Sequence, residues 1–184
     1  MSDVERPKYD VISFSGNIEL RQYAPMIIAE VEVAGDRKEA INTGFRILAD
    51  YIFGNNTVQQ EIAMTAPVQQ QSNEKIAMTA PVQQQEGDGV WKVSFVMPSQ
   101  YSMDELPKPN NKIVILKEIP LKQVVAITFS GTNSDENMKK HEKQLIAYAE
   151  SKNLSVAGTS KYAFYNPPWT LPHIRRNEVL IEIK

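Results

Sequence analysis

The side chains able to carry chemistry are few. The chain of 184 residues holds two histidines, His141 and His173, and no cysteine. Without thiols there is no cysteine nucleophile, no thiolate metal site and no covalent haem attachment through Cys-x-x-Cys-His. The histidines lie far apart and neither belongs to a His-Glu-x-x-His helix, so they predict no zinc site. No glycine-rich loop joins a strand to a helix as nucleotide folds require, and Gly87-Asp88-Gly89 reads as a turn. Carboxylates are plentiful but scattered over faces that read as solvated. The residues predict a binding protein and not an enzyme.

What remains is apolar surface. Ile41, Phe45, Leu48 and Ile52 follow helical spacing, with Ala40, Gly44, Ile47 and Tyr51 as a second line beside them. Together they are wider than the stripe a helix needs to face one core. Two readings stand. The helix is sunk deeply into its own sheet, or its second line walls a binding groove in which Gly44 lets a planar ligand approach the backbone.

The elements that position these residues follow from periodicity. DVISFSGNIELRQYAPMIIAEVEVAG reads as two strands joined near Gly16 or at Ala24-Pro25. In the second, Ile27, Ala29, Val31 and Val33 share one face with Glu30 and Glu32 between them. Asp36 stands where an N-cap belongs, and KEAINTGFRILADYIF follows as a helix up to Gly54. In VWKVSFVMP, Trp91, Val93, Phe95 and Met97 alternate with polar residues. SMDELPKPNN is a turn-rich connection. IVILKEIPLKQVVAITFSG reads as two strands broken at Pro120, and a helix from about Ser134 to Lys152 follows, capped by Ser134 or Asp135. SVAGTSKYAFYNP and EVLIEI close the chain as strands. The order repeats as pattern and predicts an α+β domain, with two helices on a largely antiparallel sheet.

Composition sets the outer bounds. A chain of this length buries about 70% of its unfolded surface and needs no metal or disulfide to fold. Its net charge of −2 lacks the basic footprint of a nucleic-acid binder. The N-terminal MSDVERPKYD has no apolar stretch of the signal-peptide kind, and no run approaches the length of a membrane span. A soluble, cytoplasmic protein without membrane insertion is expected.

One motif is unusual. IAMTAPVQQQ occurs at 62–71 and again at 76–85. As extended chain, Ile62, Met64, Ala66 and Val68 share one face, and Ile76, Met78, Ala80 and Val82 do likewise. A hairpin with a loop from Gln71 to Lys75 sets Val68 opposite Met78, Ala66 opposite Ala80 and Met64 opposite Val82, all facing one way. The copies then fill core. Alternatively the methionines border a site for a flat ligand, with Pro67 and Pro81 marking an edge or bulge.

The MTAPV motif, FVMPSQYSMDELPKP, the closing YNPPWTLPHIRRNEV and the opening YDVISFSGNIELRQYAP together resemble the SOUL/haem-binding-protein family. The resemblance runs from about Tyr9 to Ile183. It implies one domain over 1–184, a distorted antiparallel eight-stranded barrel with two helices, built as two βαββ halves at about 9–98 and 113–184. It also implies non-covalent binding of haem or a related tetrapyrrole, for buffering or transport. The site would be a shallow groove between the first helix and the loop Asn166 to Arg176. Ala40, Gly44, Ile47, Tyr51, Trp169 and Leu171 would line it, with Tyr165 just before the loop.

A porphyrin's propionates call for cations, and Arg37, Lys38, Arg175 and Arg176 are the candidates. His173 lies in the loop and is the candidate iron ligand. His141, on the second helix with Met138, Leu145 and Tyr148, reads as a half-buried structural residue. The resemblance requires no fixed axial ligand and leaves any protein partner unspecified.

Two rival readings stand beside it, the first because the implied barrel also resembles the effector-binding domains of some transcription regulators. An effector-binding domain for cationic molecules would bury an acid in its groove, and Glu19 or Glu178 could serve. A protein-interaction module would expose an apolar surface without a cavity, with the glutamines at 69–71 and 83–85 as a partner-facing edge.

Overall fold

Gly16 and Ala24-Pro25 both break the chain, giving three opening strands where two are expected: β1 (Tyr9–Ser15), β2 (Ile18–Tyr23) and β3 (Met26–Ala34). Gly16 takes a φ of 59°, the left-handed conformation a tight turn asks of glycine. The computed structural model describes residues 4–58, 73–87 and 89–184. Helix α1 (Arg37–Ile52) begins where Asp36 accepts the Glu39 N–H at 3.0 Å, as its position predicts. Then come β4 (Asn56–Thr57), β5 (Val82–Gly87), β6 (Val90–Val96), β7 (Lys108–Pro109), β8 (Ile115–Ile119) and β9 (Lys122–Phe129). Helix α2 (Asp135–Ser151) is capped by Ser134, which accepts the Asn137 N–H at 3.2 Å. Strands β10 (Val156–Phe164) and β11 (Asn177–Ile183) end the chain, with a 3-10 turn at Pro172–Ile174 between them.

Nine strands form one antiparallel sheet in the order β1-β2-β9-β11-β10-β5-β6-β3-β8, and β4 pairs with β7 apart from it. β1 and β8 stand at the two edges. Among the described residues the sheet is therefore open and nine-stranded, where a distorted eight-stranded barrel was expected.

Both helices cover the same face. Phe164, Val82 and Phe95 pair across β10, β5 and β6, and same-face packing links them to both helix clusters. Under α1, Val31, Val93, Phe95 and Met97 pack with Leu48 and Ile52. Under α2, Val125, Ile127, Val179 and Ile181 pack with Met138 and Leu145. The faces read in β3 and β6 are the faces observed, because each strand turns one side to α1, while β9 is buried on both sides. On the other face Tyr23, Val124, Ala126, Ala163 and Leu180 form a smaller apolar cluster.

The first IAMTAPVQQQ copy lies outside the described residues, and so does its half of the expected hairpin. The second copy departs from the reading. Val82 pairs with Phe95 on one side and Phe164 on the other, so it cannot face Met64. Upstream the period breaks: Ile76 and Thr79 are buried while Met78 is exposed. The Thr79 hydroxyl donates to the Val96 carbonyl, which turns that side chain inward. Nor are the glutamines at 83–85 an edge. They sit mid-sheet, and Gln84 is buried, donating to the Arg37 carbonyl at 2.7 Å.

Candidate functional site

The connection from β10 to β11 carries a dense set of exposed apolar side chains. Trp169 is 84% exposed, Leu171 59% and Ile174 61%. Such groups on a loose loop would collapse onto the protein, and here the backbone is held. Arg175 donates to the carbonyls of Thr170 at 2.7 Å and Pro168 at 2.6 Å. The Arg176 N–H donates to the Asn166 side chain at 2.6 Å, and the Gly131 N–H to the Pro172 carbonyl at 2.9 Å. Three prolines, Pro167, Pro168 and Pro172, stiffen it further. His173 is exposed on the same 3-10 turn.

α1 does not offer the surface its second line suggested. Ala40, Gly44 and Tyr51 are buried, and Ile47 packs half-buried against the same core. The close approach that Gly44 permits is taken by the sheet. A β-carbon there would stand 2.6 Å from the Val93 Cβ. Tyr51 donates its hydroxyl to the Pro107 carbonyl at 2.6 Å, and burial pushes the phenol pKa upward. These residues seat the helix and do not line a groove. Of the helix's apolar residues Phe45 is the exposed one, its ring 5.4 Å from that of Phe95. The N-terminal turn of α1 does approach the loop's root: the Arg37 guanidinium lies 5.8 Å from the Phe164 ring centre.

Three of the four expected propionate cations are already engaged. Arg37 is buried and paired with Asp135 at 2.5 Å. Arg175 holds loop carbonyls. Arg176 reaches Glu178 at 2.7 Å and stacks over the Tyr165 ring at 4.3 Å. Lys38 remains exposed.

Arg176 belongs to a polar network on the helix-free face that the sequence reading did not find. Glu178 accepts from Arg21 at 2.8 and 3.0 Å, from Thr128 at 3.0 Å and from Tyr165 at 2.7 Å. Burial would raise the Glu178 carboxyl pKa, but the hydrogen bonds and charge of Arg21, then of Arg176, hold it down at about 2. Tyr165 is pushed up by burial and by the Glu178 charge. The buried acid of the effector-domain reading is thus present, and it is neutralised from within. His141 stacks on Phe129, ring centres 3.7 Å apart, and its Nδ1 meets the Asn137 carbonyl at 2.8 Å. That fits its structural role.

The chain matches the family described as "SOUL heme-binding protein" over residues 4–182. It belongs to that family. Human "Heme-binding protein 2" is 30% identical over 169 residues, covering 89% of this chain and 77% of its own. The mouse protein of the same name is 26% identical over 174 residues, covering 92% and 80%. Among solved structures, the EcmrR C-terminal domain superposes with a TM-score of 0.65 at 11% identity, covering 96% of this chain and 98% of that one. A structure titled as a hydrolase from Listeria innocua gives 0.58 at 11% identity, covering 91% and 92%. These two show a shared fold. This SOUL family member sets two helices on a large antiparallel sheet. Among the described residues no helix is long and apolar enough to cross a membrane.

Proposed function

We propose that the protein binds haem or a related tetrapyrrole reversibly and without a covalent bond, buffering or carrying it, and that it catalyses no reaction. The observation that carries this reading is the rigid loop with Trp169, Leu171 and Ile174 turned to solvent. Kinship with haem-binding proteins supports the choice of ligand.

A porphyrin face laid on the loop is stabilised mainly by removing apolar surface from water, about 25 cal/mol per Å² before the costs of association. Trp169 adds a flat partner for the ring. His173, exposed on the same turn, is the side chain that would reach the iron of haem. Lys38 is the exposed cation of the original four and the one left for a propionate. Because the principal contact is with the ring, metal-free porphyrin binds as well.

The experiment is an absorption titration of the purified protein with haemin and, in parallel, protoporphyrin. Saturable one-to-one binding of both, weakened by Trp169→Ala with Leu171→Ala, is the expected result. Binding of haemin alone, with a spectrum changed by His173→Ala, would show that ligation of iron carries the affinity instead. No saturable binding of either would sink the reading.

A further inference from the structure

The contacts that seat β5 and the chain leading into it come from the second IAMTAPVQQQ copy. Ile76 is buried in the core under α1, and its N–H donates to the Ile52 carbonyl at 2.7 Å. Thr79 bonds the Val96 carbonyl, and the Ala80 N–H donates to the Glu5 carbonyl at 3.0 Å. Val82 lies between Phe95 and Phe164. Gln84 donates to the Arg37 carbonyl, and Gln85 to the Thr159 carbonyl at 2.8 Å. The copy at 62–71 carries the same residues in the same order: Ile62, Thr65, Ala66, Val68, Gln70 and Gln71.

We propose that the chain has two threadings, in which one copy or the other fills this slot between β10 and β6. Inside the slot the two are chemically identical, so only the connections and the flanks tell them apart. The connections exchange lengths. They are 58–73 and 88–89 in the observed threading, and 58–59 and 74–89 in the other. Loop closure then costs the same to first order. The shorter first connection still reaches. The Asn56 side chain holds the N–H and the carbonyl of Glu74, at 2.8 and 2.7 Å. Gln60 takes that position in the other threading, and residues 57–59 span roughly 10 Å.

The flanks set the balance. Tyr101 donates to the Glu74 carboxylate at 2.9 Å, and the Lys75 ammonium lies 5.5 Å from the Phe53 ring centre. Gln60 offers Tyr101 a neutral acceptor in place of a charged one, and Glu61 offers Phe53 no cation. Downstream, Glu86 gives its carbonyl to Thr159 at 2.7 Å, and Glu86 and Gly87 pair with Trp91 and Val90. Those are backbone interactions, which Ser72 and Asn73 supply equally. The observed threading is thus favoured by two peripheral contacts and by none in the core. β5 is hydrogen-bonded on both sides. Passing from one threading to the other requires both ladders to open, so the choice is made as the chain folds.

The chain has no cysteine, so a full-length protein carrying Gln69→Cys, Gln83→Cys and Ser94→Cys reports that choice. Position 83 stands opposite Ser94 across β5 and β6, within disulfide range, and position 69 replaces it in the other threading. Refolding, oxidation and peptide mapping should give the 83–94 disulfide over 69–94 by about tenfold, the ratio for flank contacts worth 1.4 kcal/mol. Adding Val82→Asp, a charge between Phe95 and Phe164, should reverse the ratio. Without the cysteines, Val82→Asp and Val68→Asp should each keep a cooperative urea transition, and the two together should lose it. The proposal is overturned if Val82→Asp is no more stable than the double variant, or if it folds without forming the 69–94 disulfide.

Discussion

Arg21 and Glu178 form a two-pronged ion pair, Nη2 to Oε1 at 2.8 Å and Nη1 to Oε2 at 3.0 Å, between side chains 1% and 0% exposed. It joins β2 to β11 across β9, so one pair fixes the register of three strands. Breaking it from one side strands a charge in the interior. Glu178→Gln should cost about 3–5 kcal/mol, because buried Arg21 is left with only the half-exposed Glu19, at 2.6 Å, and Arg176 loses its carboxylate. Urea unfolding followed by circular dichroism reads this directly, and a loss under about 1 kcal/mol would show the pair to be incidental.

The same carboxylate sets the acid limit. Its folded pKa of about 2 lies below the ordinary 4.5. A depressed carboxylate stabilises the fold fully above its unfolded pKa, and that contribution is lost as protons bind on the way down. Stability should therefore fall between about pH 4.5 and 2, and Glu178→Gln should flatten the fall. A profile of thermal midpoint against pH checks it; equal slopes in both proteins would place the acid lability elsewhere.

Gly44 tests which reading of α1 is correct. A methyl group there meets the Val93 Cβ at 2.6 Å and Cγ2 at 2.7 Å, and both belong to the sheet. Gly44→Ala should destabilise by about 1–3 kcal/mol through overpacking, despite alanine's better helix propensity. Val93→Ala in the same chain should recover part of the loss, a coupling that neighbours show and distant sites do not. Haemin affinity should be unchanged in the folded Gly44→Ala protein. A variant that keeps its stability but loses haemin would return Gly44 to the groove.

How far the sequence could be read differs by element, for physical reasons. Helices announce themselves through caps and period: Asp36 and Ser134 both cap as read. Strands β3 and β6 were legible because Ala29, Val31, Val93, Phe95 and Met97 share the face that α1 covers, whereas β9 is buried on both faces and carries no alternation. The second repeat copy was misread because alternation assumes regular strand, and strand starts only at Val82, after Thr79 has turned inward to bond Val96. The wide apolar arc of α1 could not by itself separate a ligand groove from a deeply seated helix, since both need the same residues. Glu19, Arg21 and Tyr23 alternate on β2 like a solvated face. That their face is closed depends on Glu178, 157 positions beyond Arg21, a pairing no local pattern carries.

Arg175 separates a positioning role from a propionate clamp. Its guanidinium holds the carbonyls of Pro168 and Thr170, on either side of Trp169. Losing it should loosen the platform and weaken every porphyrin alike. Arg175→Met should lower affinity for protoporphyrin and for its dimethyl ester by the same factor, about tenfold for a contact worth 1.4 kcal/mol. An effect confined to the free diacid would instead make Arg175 a propionate ligand. Trp169→Ala, at an exposed position, should leave the unfolding free energy within about 0.5 kcal/mol and still weaken both ligands.

Lys122 gives a pH dependence of the same sign as Glu178, in an alkaline window and for the opposite reason, since here the charged form is the one the fold disfavours. Burial first, then Lys161, brings its amine down from 10.5 to about 8 in the folded chain. Between these values the unfolded chain holds the proton more tightly than the folded one, so stability must rise with pH across that window. Below about pH 8 Lys122 is charged in the folded protein and meets the repulsion that Lys161 supplies. Lys161→Met removes the neighbour and keeps the side chain's apolar bulk, so it should stabilise the protein at pH 7 and shrink the rise toward pH 10. Thermal midpoints of the two proteins from pH 6 to 10 measure this. If Lys161→Met is less stable at pH 7 and its profile parallels the parent's, the two ammonium groups do not repel each other in solution.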